Sequence, residues 1–538
     1  MGYACDMVRL ASSTLLTALA LAGCSSETPP REPVDHVLVI LVDTLRADAL
    51  GAYGAPPGST PALDALADES AVFLEAYSQG SWTVPSMISL FTGRRVTDEG
   101  GLHLPAEGPV LAERFQRAGF ATAAFICNDL VCEEAGFARG FDAMLQLTPY
   151  SPNGPILEWL AAHADGKSFA YVHLNEAHDP YVPADPAWVV RRKDPPPLAP
   201  ERLAYYERVE AELGLQDFDG AVAHIAEEVA GYADDVAYSD ARIGELLDAA
   251  RRLWPAERTV VVVTADHGEG LWTREAMMTG QRGNAARRGE PPTLVTSLMP
   301  THGNQVYREL SHVPLLVRAP GIAPTRINGP VESIDLFPTL LELADLPRPE
   351  GLAGASLVAR MEGEPGAGED AFTFTRFNAS LITADGWQLI LPTDEGVCVE
   401  GLELELFDLN VDPEARTNVA ARHPDQVERL RAVALRRLRS GLRPEVRDPD
   451  PEEVAKLSGL GYLDSEIVEV AREAVKSKPT ADLVATVVES TACLARLDAA
   501  KALRGRGLTS EQRATLRERL GVEGSAAVRD ALETVLGG

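Results

Sequence analysis

Positive charge is scarce in this chain of 538 residues: 49 lysines and arginines stand against 80 aspartates and glutamates, a formal net charge of −31. A protein that grips nucleic acid needs a basic face to displace phosphate counterions, so that class of partner is excluded. Nonspecific adhesion to an anionic lipid surface is disfavoured for the same reason. Long apolar runs are lacking too. After residue 24 no stretch reaches the roughly 20 residues that a membrane-crossing helix needs. Cysteine is sparse, six in all, and Cys127 and Cys132 (CNDLVC) suit either a small loop disulfide or two separate thiols. What the chain does have is 45% hydrophobic and 24% charged residues, a globular balance, in a length that allows two or three domains. An acidic body can still hold an anionic ligand where a metal ion sets the local field.

The N-terminus carries a different signal. Residues 10–23, LASSTLLTALALAG, form an apolar run too short to span a bilayer, with small residues before Cys24. Leu21-Ala22-Gly23-Cys24 resembles the bacterial lipoprotein signal, which implies that Cys24 is the acylated first residue of the mature chain. Residues 25–35, SSETPPREPVD, then form a polar, Pro-rich tether. The expected location is the bacterial cell envelope, periplasmic or at the outer surface, with the membrane reached through the lipid anchor alone. An uncleaved membrane anchor is the alternative. Met1 and Met7 are both candidate starts, the second leaving Arg9 ahead of the apolar run.

From residue 36 strands and helices alternate. VLVILV (37–42), ATAAFI (121–126), FAYVHL (169–174) and TVVVVT (259–264) read as buried parallel strands, ALDALADESAVF as a helix, and 221–253 as long helical periodicity. This is the βαβ pattern of a doubly wound sheet, whose ligands bind beyond the carboxyl ends of the strands. Those ends carry Asp43, Cys127-Asn128, Asn175-Glu176-Ala177-His178-Asp179 and Asp266-His267-Gly268-Glu269. In SWTVPSMISLFTG (81–93), Pro85 and Ser86 suit a first helical turn, which sets Thr83 at the positive helix end, as a capping residue or as a group facing an anion. Four strand ends with such side chains, together with that threonine, point to an active site.

In this order the segments resemble the sulfatase family of the alkaline phosphatase superfamily. VLVILVDTLRADALGAYG is similar to its first metal-binding segment, SWTVPSMISLFTGR to its nucleophile segment, HDPYVP to its substrate-histidine segment and TADHGE to its second metal segment. THGNQVYRELSHVPLLVRAPG, SIDLFPTLLELADLP and ELELFDLNVDPEARTNVA match its later blocks, so the resemblance covers about residues 36–440. It implies an α/β fold, alkaline-phosphatase-like: a doubly wound, mostly parallel central sheet between helices, a smaller C-terminal α+β subdomain and a helical tail. The expected organisation is a signal (1–24), the tether (25–35), a catalytic core (36–345), its C-terminal subdomain (346–440), and a linker with a helical appendage (441–538). By position, Asp43, Asp266 and His267 would bind one divalent cation, Ca, Mg, Mn or Zn, with the Thr83 oxygen as fourth ligand and nucleophile. His178 and His302 would face the ester or its leaving group as proton donors, and Asn128 would bind the same anion.

The sequence departs from the family pattern in places. Thr83 stands where formylglycine sulfatases have Cys or Ser, and its oxidation would give a ketone in place of the aldehyde. Met87 replaces the motif's Arg, and Thr44 stands where many members have a second Asp. Residues 271–300 form an insertion with Arg274, Arg282, Arg287 and Arg288, either a basic lid or a surface loop. The set is similar to the superfamily's threonine-nucleophile branch. The leading expectation is a metal-dependent hydrolase of phosphate or sulfate esters acting on a small anionic ester or a glycan- or lipid-linked one, with a covalent intermediate and a slight preference for phosphorus. The alternatives are a sulfuric ester hydrolase proper, an envelope phosphotransferase, and a non-catalytic binding protein on this scaffold.

Overall fold

Buried parallel strands of Val, Ile, Leu and Ala form the centre of the computed structural model, which describes residues 32–97, 102–182, 186–215, 218–275, 291–364, 370–393, 402–442, 479–489, 493–504, 506–523 and 526–537. The strands there are, in chain order, β1 (His36–Val42), β2 (Ala71–Phe73), β3 (Ala76–Tyr77), β4 (Ala121–Ile126), β5 (Ala143–Gln146), β6 (Ser168–Leu174), β7 (Thr259–Ala265), β8 (His312–Val313), β9 (Leu315–Arg318), β10 (Thr325–Ile327), β11 (Val331–Glu332), β12 (Ala371–Phe374), β13 (Asn378–Ile382), β14 (Trp387–Pro392) and β15 (Glu405–Asp408). The helices that bear on the site are α1 (Pro61–Ala67), α2 (Thr83–Thr92), α3 (Leu111–Arg117), α4 (Gly154–Ala162), α5 (Pro200–Leu213) and α6 (Phe218–Leu253).

Eight strands make the main sheet in the order β10-β2-β9-β7-β1-β6-β4-β5. Its pairs are parallel except where β9 runs against β7 and β2. Every residue of β1, β6 and β7 is buried, as expected of strands covered on both faces. Each buried Val, Leu or Ile side chain contributes about 1.5–3 kcal/mol, so these runs dominate the stability of the centre. The four strands expected from the sequence are present to within a residue at each end, and α6 extends the expected 221–253 helix by three residues at its start.

One expectation is corrected. ALDALADESAVF is helical only through Ala67; Asp68 ends the helix, Ser70 Oγ donates back to Leu66 O, and Ala71–Phe73 become β2 between β9 and β10. The β-branched and aromatic pair Val72-Phe73 packs better on a sheet than in a last helical turn. β12–β15 form a separate antiparallel sheet, covered by the helix Pro424–Ser440 through Leu430 and Ala434. The helices Thr480–Glu489, Cys493–Ala502, Ser510–Val522 and Ala526–Gly537 close a core of their own around Leu483, Val487, Leu503, Leu516 and Leu532. The lipoprotein-like signal with Cys24 and the EIVEVAREAV segment lie outside the described residues. Among the described residues no helix is long and apolar enough to cross a membrane.

Candidate metal centre and active site

Strand register brings the site together. In β1 and its two neighbours, Val42 lies beside Leu174 of β6 and Ala265 of β7, so Asp43 and Asp266 are the next residues on adjacent strands. Ile126 pairs with His173, which leaves Asn128 two residues past the end of β4 on the same edge. Asp43, Asp266 and His267 are buried, and one ligand atom from each lies within 4.8 Å of the others. Two carboxylates at that separation repel by about 3–4 kcal/mol at an effective dielectric of 20, and they do not both stay ionised unless a cation lies between them.

The hydrogen bonds leave the ligand atoms open. Asp43 Oδ2 accepts from Asn128 Nδ2 at 2.5 Å, while Asp43 Oδ1 is buried without a hydrogen-bond partner. Asp266 Oδ1 accepts from His267 N at 2.8 Å and Thr44 N at 3.2 Å, and Asp266 Oδ2 is again without one. His267 Nδ1 lies 2.9 Å from Gly268 O. A carbonyl can only accept, so we assign the proton to Nδ1, which turns the Nε2 lone pair toward the two acids at 3.3 and 3.6 Å. Two orphaned carboxylate oxygens, one imidazole nitrogen and a hydroxyl make a donor set that fits a divalent cation.

Titration reflects the crowding. Burial opposes charge on Asp43, but the facing imidazoles, His173 first among them, outweigh it and hold the carboxyl below the usual range. Burial and the Asp43 charge push Asp266 well above it. Burial and His302 push the His267 imidazole well down, the neutral form a metal ligand requires.

Thr83 is the first residue of α2, and Trp82, in the N-cap position, makes no side-chain cap. The capping reading of Thr83 is therefore corrected. Its Oγ1 lies 3.5 Å from His267 Nε2 and 3.5 Å from Asn128 Nδ2, at the buried positive end of the helix. Asn128 is fixed by accepting from Leu130 N at 2.8 Å through Oδ1.

Two further imidazoles form the wall. The His178 and His302 rings are 5.1 Å apart, and His302 is 4.3 Å from His267. His178 Nδ1 donates to Asp179 O at 2.6 Å, and His302 Nδ1 lies 3.1 and 3.2 Å from the two Glu269 oxygens, so both present Nε2 outward. Burial lowers the His302 pKa, but the Glu269 carboxylate overcomes this and raises it.

All seven candidate residues of the core lie in one place: Asp43, Thr83, Asn128, His178, Asp266, His267 and His302. Three others were not assigned a role by sequence. Glu269 holds His302; it was visible in TADHGE, but its partner lies 33 residues on. His173 and Tyr171 lie in β6, and a histidine inside an apolar run was the only signal. Thr44, at φ 57°, turns its hydroxyl to Ala177 O at 2.5 Å, away from the acids. Met87 is buried, 3.7 Å from Tyr171 Oη through its sulfur. Arg274 is no lid cation: it is buried, donates to Glu309 and to Ala415 O, and covers the Tyr307 ring at 4.1 Å. Arg282, Arg287 and Arg288 lie outside the described residues. Cys127 and Cys132 are thiols, and burial pushes Cys127 up to about 12.

The Sulfatase family model matches residues 35–346. The ulvan-active sulfatase of Formosa agariphila is 26% identical over 388 residues, 64% of this chain and 69% of that protein. Arylsulfatase K of Bos taurus is 29% identical over 209 residues, 36% of this chain; the match spans only about a third, 33%, of that relative's length. Among solved structures, the phosphonate monoester hydrolase of Agrobacterium radiobacter superposes with a TM-score of 0.58 at 22% identity, covering 76% of this chain and 96% of that one. At that identity the likeness shows the fold.

Proposed function

This chain belongs to the sulfatase family and is an ester hydrolase of the alkaline phosphatase superfamily; from that premise we propose that Thr83 is its nucleophile and that its substrate is a phosphorus ester, a monoanionic diester ahead of a dianionic monoester. The observation that carries this reading is the Thr83 hydroxyl: buried, free of capping duty, and 3.5 Å from both His267 Nε2 and Asn128 Nδ2.

Asp43, Asp266 and His267 would hold a divalent cation with the Thr83 oxygen. That cation would supply the positive charge that acidifies a hydroxyl and offsets the charge of the ester. Thr83 Oγ1, its proton released to water, then attacks phosphorus in line, the bond to the leaving alcohol breaks, and a threonine phosphodiester forms that keeps the substrate's other ester group. His178 and His302, each steadied through Nδ1, offer Nε2 to the leaving oxygen, and the raised pKa of His302 suits a proton donor near neutral pH. The Asn128 amide steadies the anion, and water breaks the bond between Thr83 Oγ1 and phosphorus, releasing the phosphomonoester and restoring the hydroxyl. The diester preference follows from the low count of positive groups, because a diester brings one negative charge to be offset and a monoester two.

A sulfate ester, of similar charge and shape, is the second reading, favoured by the names of the sulfatase relatives. Threonine weighs against it, since a secondary alcohol cannot be oxidised to the formylglycine aldehyde. A panel of phosphodiester, phosphomonoester and sulfate ester substrates separates the two. Thr83→Ala should lower kcat at least about a thousandfold with the fold intact, and Thr83→Ser should keep a measurable fraction. Sulfate ester turnover far above every phosphoester would overturn the phosphorus assignment.

A further inference from the structure

We propose that His173 is a positioning residue that aims Asp43: it anchors one carboxylate oxygen so that the other is presented to the metal site. The inference rests on the reading of Asp43, Asp266 and His267 as ligands and adds a residue that no motif assigns.

Register supplies the geometry. His173 of β6 lies beside Leu41 of β1, and alternate residues of a strand share a face. Tyr171 and His173 therefore stand on the same face as Leu41 and Asp43. His173 is fully buried, with Nε2 3.5 Å from Asp43 Oδ2 and Nδ1 3.1 Å from Tyr171 Oη. We assign the phenol hydrogen to Nδ1, which places the imidazole N–H on Nε2, facing the carboxylate. The opposite tautomer would set a lone pair against a buried carboxylate, a repulsive contact with no compensation. With its proton on Nε2, His173 turns a polar N–H toward Asp43 Oδ2 across 3.5 Å, a contact short of hydrogen-bond geometry that leaves Nε2 without another partner, and it cannot itself be a ligand through that atom.

The two Asp43 oxygens thus divide their work. Oδ2 faces Asn128 Nδ2 at 2.5 Å and His173 Nε2, whereas Oδ1, without a hydrogen-bond partner, lies 3.6 Å from His267 Nε2. Tyr171 cannot swing away, because Phe91 of α2 packs edge-on against it at 5.1 Å and 78°. A histidine kept only to fill the core would leave Asp43 indifferent to its replacement by an aromatic ring of similar size. A histidine that fixes the carboxylate would not, since groups that orient metal ligands typically change affinity 10- to 100-fold.

The test is titration of the metal-free full-length protein with Ca²⁺, Mn²⁺ and Zn²⁺, the tightest of which serves as probe, alongside thermal melting without metal. His173→Phe should weaken binding 10- to 100-fold while the metal-free melting temperature changes little. His173→Gln, which restores a donor, should recover much of that affinity. Tyr171→Phe, which removes the tautomer lock, should fall between wild type and His173→Phe, and it carries the test should the Phe variant fail to fold. Wild-type affinity in His173→Phe, or in Tyr171→Phe where that variant must stand in, would overturn the proposal and leave the metal reading intact. Absence of binding in the wild type would overturn the metal reading and this proposal with it.

Discussion

At the scale of single residues, the buried acids of this protein differ in what offsets their desolvation. Asp43 and Asp266 lie together among the imidazoles of His173, His178, His267 and His302, and with His267 they make a possible site for a divalent cation. Asp235 of α6 is different. It is buried, Tyr150 Oη donates to its Oδ1 at 3.1 Å, and its other oxygen has no hydrogen-bond partner. Burial, only partly countered by that hydrogen bond and reinforced by the charges of Glu176 and Asp234, pushes its pKa up from 3.8 to about 8. An acid whose folded pKa is raised holds its proton longer in the folded state, so its stabilising contribution is complete below the unfolded pKa and is lost as pH rises toward 8. Asp235→Asn cannot ionise and keeps the acceptor for Tyr150. The melting-temperature difference between variant and wild type should move in the variant's favour from pH 5 to pH 8.5. A difference that stays flat across that range contradicts the assignment.

At the scale of elements, α1 shows why some of the fold was legible and some was not. Its start is capped from outside: Asp240 of α6 accepts from Leu63 N at 2.8 Å and Ala62 N at 3.0 Å, 177 and 178 residues away, while Thr60 at the N-cap position makes no capping bond. Asp240→Ala should cost about 1–3 kcal/mol in chemical denaturation, since two amides lose their charged acceptor. A loss of only a few tenths would mean that water replaces it. Local pattern could not reveal such a cap. The same holds for β2, β3, β8 and β11, strands of two or three residues defined by their partners more than by their own periodicity. By contrast β1, β4, β6 and β7 were legible because a buried parallel strand is apolar throughout, and Asp43 and Asp266 because charge at the end of such a run stands out. Gly268 and Gly270 fall between these cases: a Cβ on Gly268 would collide with Glu309 O, and one on Gly270 would lie 2.5 Å from Thr301 O. TADHGE shows the glycines, but only the fold shows what crowds them. Thr83 was legible as a helix start, its release from capping was not, and the roles of His173 and Glu269 depend on register and on residues far along the chain.

At the scale of the whole molecule, the proposed function asks a chain of net charge −31 to bring an anionic ester to a buried site, and a cation held by Asp43, Asp266 and His267 would resolve that conflict. Attachment to a membrane would likewise rest on lipid, because the acidic surface offers anionic headgroups little. We propose that Cys24 carries that lipid. Cys24→Ser should then shift the mature mass and release the protein from the membrane fraction, and an unchanged mass and distribution would contradict it. The central claim is the chemistry at Thr83. It is tested most directly by peptide mass spectrometry of the protein quenched during turnover of a phosphodiester. The expected result is an unoxidised Thr83 that carries, in part of the sample, the phosphoryl group with the substrate's remaining ester substituent still attached. A residue 83 found oxidised, or a phosphoryl group carried on any other side chain, would contradict it.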